Sequence, residues 1–198
     1  MNITQNILSI NPYSHDGRKL QCVKAIVLHW TANPMVSALN NRNYFESLKD
    51  QKTEKKTYGS AHYVVGLQGE IIQCVPDTDR AIHAAIPDFT DASRDPVSKK
   101  FYTDLARQKF GDYAINYQTN SPNNCTIGIE MCPIDANGNF NQVTLDSTSE
   151  LVSSLLKKFS LTINDVITHN QIVGFKDCPK LFVDHPEKFE EFKEKIIV

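Results

Sequence analysis

A histidine, a lysine and a cysteine stand close together near the end of the chain, in the stretch THNQIVGFKDCP. A short connection separates His169 from Cys178, and both residue types serve as metal ligands and as catalytic groups. A third such group, His29, lies at the end of the apolar run KAIVLHW. Catalytic zinc takes three protein ligands from His, Cys and carboxylate and keeps a fourth position for water. His29, His169 and Cys178 would complete such a set.

Two other interpretations of this pair remain open on spacing alone. A free cysteine is often a small buried hydrophobe, so His169 and Cys178 can both be core residues. Alternatively, Cys178 is a nucleophile and His169 its base, which requires direct contact between them and a group that orients the base. The spacing is less specific than paired CxxC motifs. Sequence distance therefore does not separate a metal site, a thiol pair and a core pair.

Short strands must bring these residues together. KAIVLHW, from Lys24 to Trp30, is typical of a central strand buried on both faces. AHYVVGLQGEIIQCV, from Ala61 to Val75, predicts two adjacent antiparallel strands joined by a Gln-Gly turn. CTIGIEMC, from Cys125 to Cys132, predicts another strand, in which the period of two directs Glu130 away from an apolar row. That row consists of Ile127, Ile129 and Met131.

Helical patterns lie between and after these strands. The segments MVSALNNRNYFESLKDQ, TLDSTSELVSSLLKKF and HPEKFEEFKEKI each predict a helix with one apolar face. Residues 87–124 are polar and contain three prolines, with one short helix expected around Phe101 to Gln108. Strands and helices mix without an internal repeat, which indicates a single α/β domain.

Composition excludes several classes of protein. Of the 198 residues, 40% are hydrophobic, which suffices for one ordinary core, so a single domain spanning 1–198 is expected. A formal net charge of -2 provides no basic surface for nucleic acid. No apolar segment is long enough for a membrane helix, so no membrane partner is expected. The five cysteines are odd in number and irregularly spaced, which indicates free thiols and synthesis in a reducing compartment.

Four blocks of the chain resemble a known enzyme family. AIVLHWTANP, SAHYVVGLQGEIIQCVP, IGIEMCP and HNQIVGFKDCP occur in the same order in the zinc-dependent N-acetylmuramoyl-L-alanine amidases of the amidase-2 type. That family includes phage endolysins, bacterial autolysins and the peptidoglycan recognition proteins. The resemblance extends from about Lys24 to Pro179. It implies an α/β fold with a central mixed β-sheet flanked by helices, zinc as cofactor, and peptidoglycan as substrate, cleaved between N-acetylmuramic acid and L-alanine.

The resemblance also assigns roles to single residues. His29, His169 and Cys178 match the three zinc ligands of the family. Glu130 matches the catalytic glutamate, which is expected to take a proton from water and to pass it to the leaving amine. Lys176 matches a lysine near the third ligand. In an extended segment it projects to the same side as Cys178, where its ammonium would lie beside the oxyanion.

His83 and the neighbours of His169 match the family less closely. His83, in RAIHAA, resembles the histidine of a Trp-His-Ala-Gly stretch that lines the substrate groove, but Ile82 replaces the aromatic residue and Ala85 the glycine. Asn170 follows His169 at a position where the family often has other residue types. Hydrogen bonds to His169 are therefore expected to differ from those of the family.

Two kinds of function are compatible with this resemblance. One is a zinc hydrolase; the other is a peptidoglycan-binding module without catalysis, like the recognition proteins that lack the thiol ligand. The presence of Cys178 favours the hydrolase. No secretory signal is recognisable, which favours a phage or prophage endolysin that is made in the host cytoplasm and acts on the wall after release. No separate wall-binding domain is expected, and the sequence does not indicate the oligomeric state.

Overall fold

The computed structural model describes residues 1–84, 102–111 and 121–197. In these ranges six strands form one sheet with the order β1-β4-β3-β5-β2-β6. The strands are β1 Ile3–Gln5, β2 Ala25–Trp30, β3 Tyr63–Val65, β4 Ile71–Gln73, β5 Thr126–Met131 and β6 Val166–Thr168. Among them, β3 and β4 pair antiparallel, as the hairpin pattern predicts, and the other neighbours pair parallel. The expected mixed sheet is therefore confirmed.

Six α-helices accompany the sheet in the described part of the chain. They are α1 Ala38–Ser47, α2 Asp104–Phe110, α3 Gln142–Phe159, α4 His169–Val173, α5 Lys180–Asp184 and α6 Pro186–Glu194. The three predicted amphipathic segments correspond to α1, α3 and α6. The short helix expected around Phe101 to Gln108 is α2, which begins later, and much of the 87–124 segment lies outside the described residues. Within the described ranges no helix combines the length and apolar character needed to cross a membrane.

The larger apolar core lies on one face of the sheet. There, side chains of β2, β3 and β5 pack against α3, α5 and α6. Helix α3 contributes a stripe at helical spacing, because its buried residues include Leu151, Leu155 and Leu156. The Asn141 side chain accepts a hydrogen bond from the backbone at the first turn, and Ser160 ends the helix in the left-handed conformation. These local signals explain why the sequence predicts α3 so well.

The opposite face carries two smaller apolar clusters with a polar strip between them. One cluster includes Val27 and residues of α2 and α4, and the other includes Val64 and residues of α1. Strand register places Glu130 between His29 on one side and Val64 on the other. The polar side chains of β2 and β5 therefore lie between the two clusters, where helices pack on either side.

Four short elements were not predicted from the sequence. Strands β1 and β6 have three residues each, and helices α4 and α5 have five each. Elements this short carry too few residues for a period to be recognised. Helix α4 does have a local signal, since Thr168 and Gln171 form a reciprocal capping box around its first turn. The prediction of free thiols is confirmed for all five cysteines.

Candidate metal centre

The candidate ligands meet at the carboxyl ends of neighbouring parallel strands. His29 lies near the end of β2, and His169 directly follows β6 as the first residue of α4. Strands β2 and β6 pair in parallel, so their carboxyl ends share one edge of the sheet, where α/β proteins commonly bind ligands. Cys178 reaches the same place from the loop after α4. All three side chains are buried, and their ligand atoms lie within 4.8 Å of one another.

Asn170 ties the loop that carries Cys178 to the helix that carries His169. Its backbone N–H donates to the Cys178 carbonyl at 2.9 Å, and its side-chain amide donates to the Lys176 carbonyl at 2.8 Å. Gly174 ends α4 with a φ of 75°, a left-handed conformation that lets the chain turn back. From its place in the sequence Asn170 was expected only to alter the hydrogen bonds of His169, and this positioning function was not predicted.

The chemistry of this cluster fits zinc. His169 Nε2 is buried without a hydrogen-bond partner, and Cys178 Sγ lies 3.6 Å from His29 Nδ1. A buried polar atom without a partner is unfavourable unless a ligand satisfies it. Two imidazoles and one thiol are a ligand set that zinc accepts in tetrahedral sites with an open position. Among the described residues, this is the one group of three or more such side chains placed to hold a metal ion.

Burial sets the protonation of the three side chains. The pKa of His29 lies well below its usual value, because burial and then the neighbouring His169 and His83 disfavour its charged form. Burial and the charge of Lys176 lower the pKa of His169 to about 3. Both imidazoles are therefore neutral, as metal ligands must be. Burial raises the pKa of the Cys178 thiol, so a nearby cation is needed to stabilise its thiolate.

The same geometry bears on the alternative of a thiol nucleophile. Cys178 Sγ contacts His29 rather than the His169 that this hypothesis requires as base. A buried thiol with a raised pKa is a poor nucleophile, because the thiolate is the reactive form. The arrangement therefore favours metal binding over nucleophilic catalysis by Cys178.

Glu130 lies beside the ligands on the same face of the sheet. Its register partner in the parallel neighbour strand is His29, and the side chains of such partners project to the same side. Glu130 Oε2 is buried and has no hydrogen-bond partner. Burial raises the pKa of this carboxyl to about 8, and the positive charge of Lys176 opposes that rise. A carboxyl with a pKa near neutrality is suited to taking up and returning a proton.

Lys176 is exposed, and the predicted reason for its placement was wrong. The segment before Cys178 is not extended, because the Cys178 N–H donates to the Lys176 carbonyl at 2.9 Å and closes a tight turn. Its ammonium nevertheless acts on the centre, since its charge lowers the pKa values of His169, Glu130 and Cys178. The turn therefore provides the proximity that an extended segment was expected to provide.

His83 packs against His29. Its Nδ1 lies 2.9 Å from His29 Nε2, and its Nε2 lies 3.1 Å from the Thr126 hydroxyl. The two imidazole rings meet edge to face with centroids 5.1 Å apart. Both ring nitrogens of His83 therefore have partners within the protein. That His83 also lines a substrate groove stays a prediction, and Ala85 of the same motif lies outside the described residues.

A family model and curated relatives match this chain. The model of Amidase_2, described as N-acetylmuramoyl-L-alanine amidase, matches residues 18–181. A probable N-acetylmuramoyl-L-alanine amidase of Bacillus licheniformis is 30% identical over 98% of this chain and 47% of its own length. The N-acetylmuramoyl-L-alanine amidase BlyA of Bacillus subtilis (strain 168) is 32% identical over 98% of this chain and 46% of its own length. The chain thus spans about half the length of these curated relatives.

Solved structures share the fold along the whole chain. A mutant endolysin from Bacillus subtilis superposes with a TM-score of 0.65 at 22% identity, covering 100% of this chain and 99% of that chain. The catalytic domain of XlyA gives a TM-score of 0.66 at 20% identity and covers 100% of both chains. At these identities the likeness establishes the α/β fold, with its mixed sheet and flanking helices.

Proposed function

The chain belongs to the Amidase_2 family of N-acetylmuramoyl-L-alanine amidases, and we propose that it hydrolyses the amide bond between N-acetylmuramic acid and L-alanine in peptidoglycan. The proposal includes zinc as cofactor, with His29, His169 and Cys178 as its ligands. Its main support is the buried cluster of these three side chains, whose ligand atoms lie within 4.8 Å of one another. The unpaired carboxyl oxygen of Glu130 beside His29 supports a catalytic role for this centre.

The ligands set the charge of the centre. His29 and His169 bind as neutral imidazoles and Cys178 as a thiolate, so the ligand set is singly negative and leaves a divalent cation with a net positive charge. When bound, zinc would polarise the scissile carbonyl and lower the pKa of a water molecule. Burial of the three side chains excludes competing hydrogen bonds from solvent and makes each electrostatic interaction stronger.

Glu130 is the proposed proton carrier. It takes a proton from the attacking water and passes that proton to the nitrogen of the leaving L-alanine. Its buried oxygen has no protein hydrogen bond to break first, and burial raises its pKa, which makes the carboxylate a stronger base toward the proton of the water. Proton transfer of this kind commonly contributes about 10²- to 10⁴-fold to a rate.

Lys176 is the proposed stabiliser of the oxyanion, and its neutral variant is expected to be slow. Lys176→Met should lower kcat by about 10- to 100-fold with unchanged zinc content, because a positive charge beside the developing negative charge is lost. Lys176→Arg retains the charge and should keep most of the activity. Initial rates of peptide release from purified walls test this. Equal rates for Lys176→Met and the unchanged protein would exclude the role.

The biological setting is part of the proposal. The fold is shared with a mutant endolysin from Bacillus subtilis over the full length of both chains. This supports a phage or prophage endolysin that is made in the host cytoplasm and reaches the cell wall after release. A single catalytic domain without a wall-binding unit likewise stays a prediction, because the chain spans about half of its curated relatives.

Mass spectrometry of digested walls tests the proposed bond directly. Zinc-loaded protein should release stem peptides with a new L-alanine amino terminus and should leave glycan strands with unsubstituted N-acetylmuramic acid. Treatment with a chelator should stop this release, and added zinc should restore it. Cleavage within the stem peptide or the glycan would contradict the proposal. Wall binding without any cleavage would favour the peptidoglycan-binding module instead.

A further inference from the structure

A row of hydrogen bonds leads away from the metal ligand His29 into β5 and the turn before it. The Thr126 hydroxyl lies 2.6 Å from the Pro122 carbonyl, which can only accept, so the hydroxyl donates its proton there. An oxygen lone pair of Thr126 is then left for His83 Nε2, at 3.1 Å. The Nε2–H of His83 must therefore be the donor in that contact.

The direction of the hydrogen bond from His83 to Thr126 determines which ring nitrogen of His29 carries the proton. One N–H on each imidazole supplies both donors that these two contacts need, so the ring of His83 carries a single N–H. With that N–H on Nε2, the Nδ1 of His83 is an acceptor. His29 Nε2 lies 2.9 Å away and is the donor. The proton of His29 is therefore on Nε2, and its Nδ1 keeps a free lone pair.

The free nitrogen of His29 is the one that faces the other ligands. His29 Nδ1 lies 3.6 Å from Cys178 Sγ, whereas Nε2 is directed to His83. Had the proton been on Nδ1, His29 would offer an N–H to the metal position and no lone pair. The hydrogen bond from His29 to His83 therefore selects the tautomer that can bind a metal ion.

Strand β5 leaves space for the imidazole ring of His83, because Gly128 has no side chain. A Cβ at Gly128 would lie 2.7 Å from both Cγ and Nδ1 of His83, closer than real contacts permit. The Asn123 side-chain oxygen accepts from the backbone N–H groups of His83 and Ala84, at 3.0 and 2.8 Å. Thr126 holds one edge of the ring, and Gly128 leaves space for its face. Neither Thr126 nor Gly128 was a candidate site residue from the sequence.

We infer that His83 is a positioning residue that fixes the tautomer and the ring orientation of His29, with Thr126 holding His83 in turn. Ligand histidines generally donate their second N–H to an oxygen acceptor, and such partners tune metal affinity. Here the acceptor is another imidazole. The inference rests on the proposed zinc site and gives His83 a function that requires no contact with substrate.

The test measures the histidine tautomers and the zinc affinity. NMR of ¹⁵N-histidine-labelled, metal-free protein should show His29 and His83 both protonated on Nε2. In His83→Phe, which keeps a flat ring without the acceptor, His29 should lose its single tautomer. Zinc affinity, measured by competition with a chelator, should fall by about 10- to 100-fold. The result that overturns the inference is an unchanged tautomer and affinity with only a raised KM, as a substrate contact would give.

Three further substitutions, at Thr126 and Gly128, leave His83 itself in place. Thr126→Val removes the hydroxyl at nearly constant shape and should lower zinc affinity, whereas Thr126→Ser keeps the hydroxyl and should restore it. Gly128→Ala should displace the ring and have the same effect as His83→Phe. Unchanged affinity in both Thr126→Val and Gly128→Ala overturns the inference even if His83→Phe does not fold.

Failure of the positioning role of His83 can be distinguished from failure of the proposed zinc amidase function. If the unchanged protein binds no zinc or does not cleave walls, the zinc amidase proposal fails. If it binds zinc and cleaves walls, and the variants at Thr126 and Gly128 match it in affinity and in the His29 tautomer, the positioning role alone is wrong.

Discussion

Glu130→Gln is expected to bind zinc as the unchanged protein does and to lose about 10²- to 10⁴-fold in kcat. Glutamine has nearly the same shape but cannot take up the proton of the attacking water. Glu130 is not one of the three side chains whose ligand atoms form the cluster, so its replacement leaves the ligand set complete. Elemental analysis should therefore find the normal zinc content in Glu130→Gln, whereas initial rates of peptide release should be strongly reduced.

The matched control is a glutamate far from any proposed chemistry. Glu54 is exposed, and Glu54→Gln makes the same chemical change at the surface. It should change neither zinc content nor rate. A Glu130→Gln protein that keeps near-normal turnover with full zinc content would remove Glu130 from the mechanism.

Cys178→Ser is expected to weaken zinc binding by roughly 10²-fold and to abolish activity at low zinc concentration. Zinc sites in small domains bind with about 10 kcal/mol or more, so the share of one ligand among three is about 3 kcal/mol. Each 1.4 kcal/mol corresponds to a tenfold change in affinity. The serine hydroxyl is a far weaker zinc ligand than a thiolate. Competition with a chromophoric chelator measures the change.

The exposed thiol of Cys22 provides the control for this substitution. Cys22→Ser should retain the zinc affinity and the rate of the unchanged protein. Excess zinc should restore part of the activity of Cys178→Ser if the thiolate acts only as a ligand. A Cys178→Ser protein with normal zinc affinity and no activity at any zinc concentration would instead indicate a nucleophilic cysteine.

The strands that hold the site were predictable because their patterns are long enough to recognise. The run to His29 and the alternation around Glu130 each extend over a strand of six residues. An apolar run identifies a buried strand, and a period of two determines which face a residue occupies. The sequence therefore placed Glu130 on the face opposite Ile129 without any knowledge of the pairing partners.

The details around the late ligands were not predictable in the same way. The expected position of Lys176 depended on an extended segment, but the chain forms a turn there, which a loop sequence does not determine. His169 begins a short helix that was not predicted, although Thr168 and Gln171 provided a capping signal. A two-residue signature before a five-residue helix is easily overlooked.

The partner of His29 could be found only from the folded chain. His83 is separated from it by 54 positions, and their contact depends on the pairing of β2 with β5 and on the open space at Gly128. Which strands become parallel neighbours depends on the long crossover connections between them, which no local pattern specifies. Motif similarity indicated that His83 belongs near the site, but not which atom it contacts.

X-ray absorption at the zinc edge, on protein reconstituted with one equivalent of zinc, tests the proposed centre most directly. Ligation by His29, His169 and Cys178 predicts one sulfur at about 2.3 Å and nitrogen or oxygen neighbours at about 2.0–2.1 Å. The sulfur signal should disappear in Cys178→Ser and persist in Cys22→Ser. A zinc shell made only of nitrogen and oxygen in the unchanged protein would contradict the assignment.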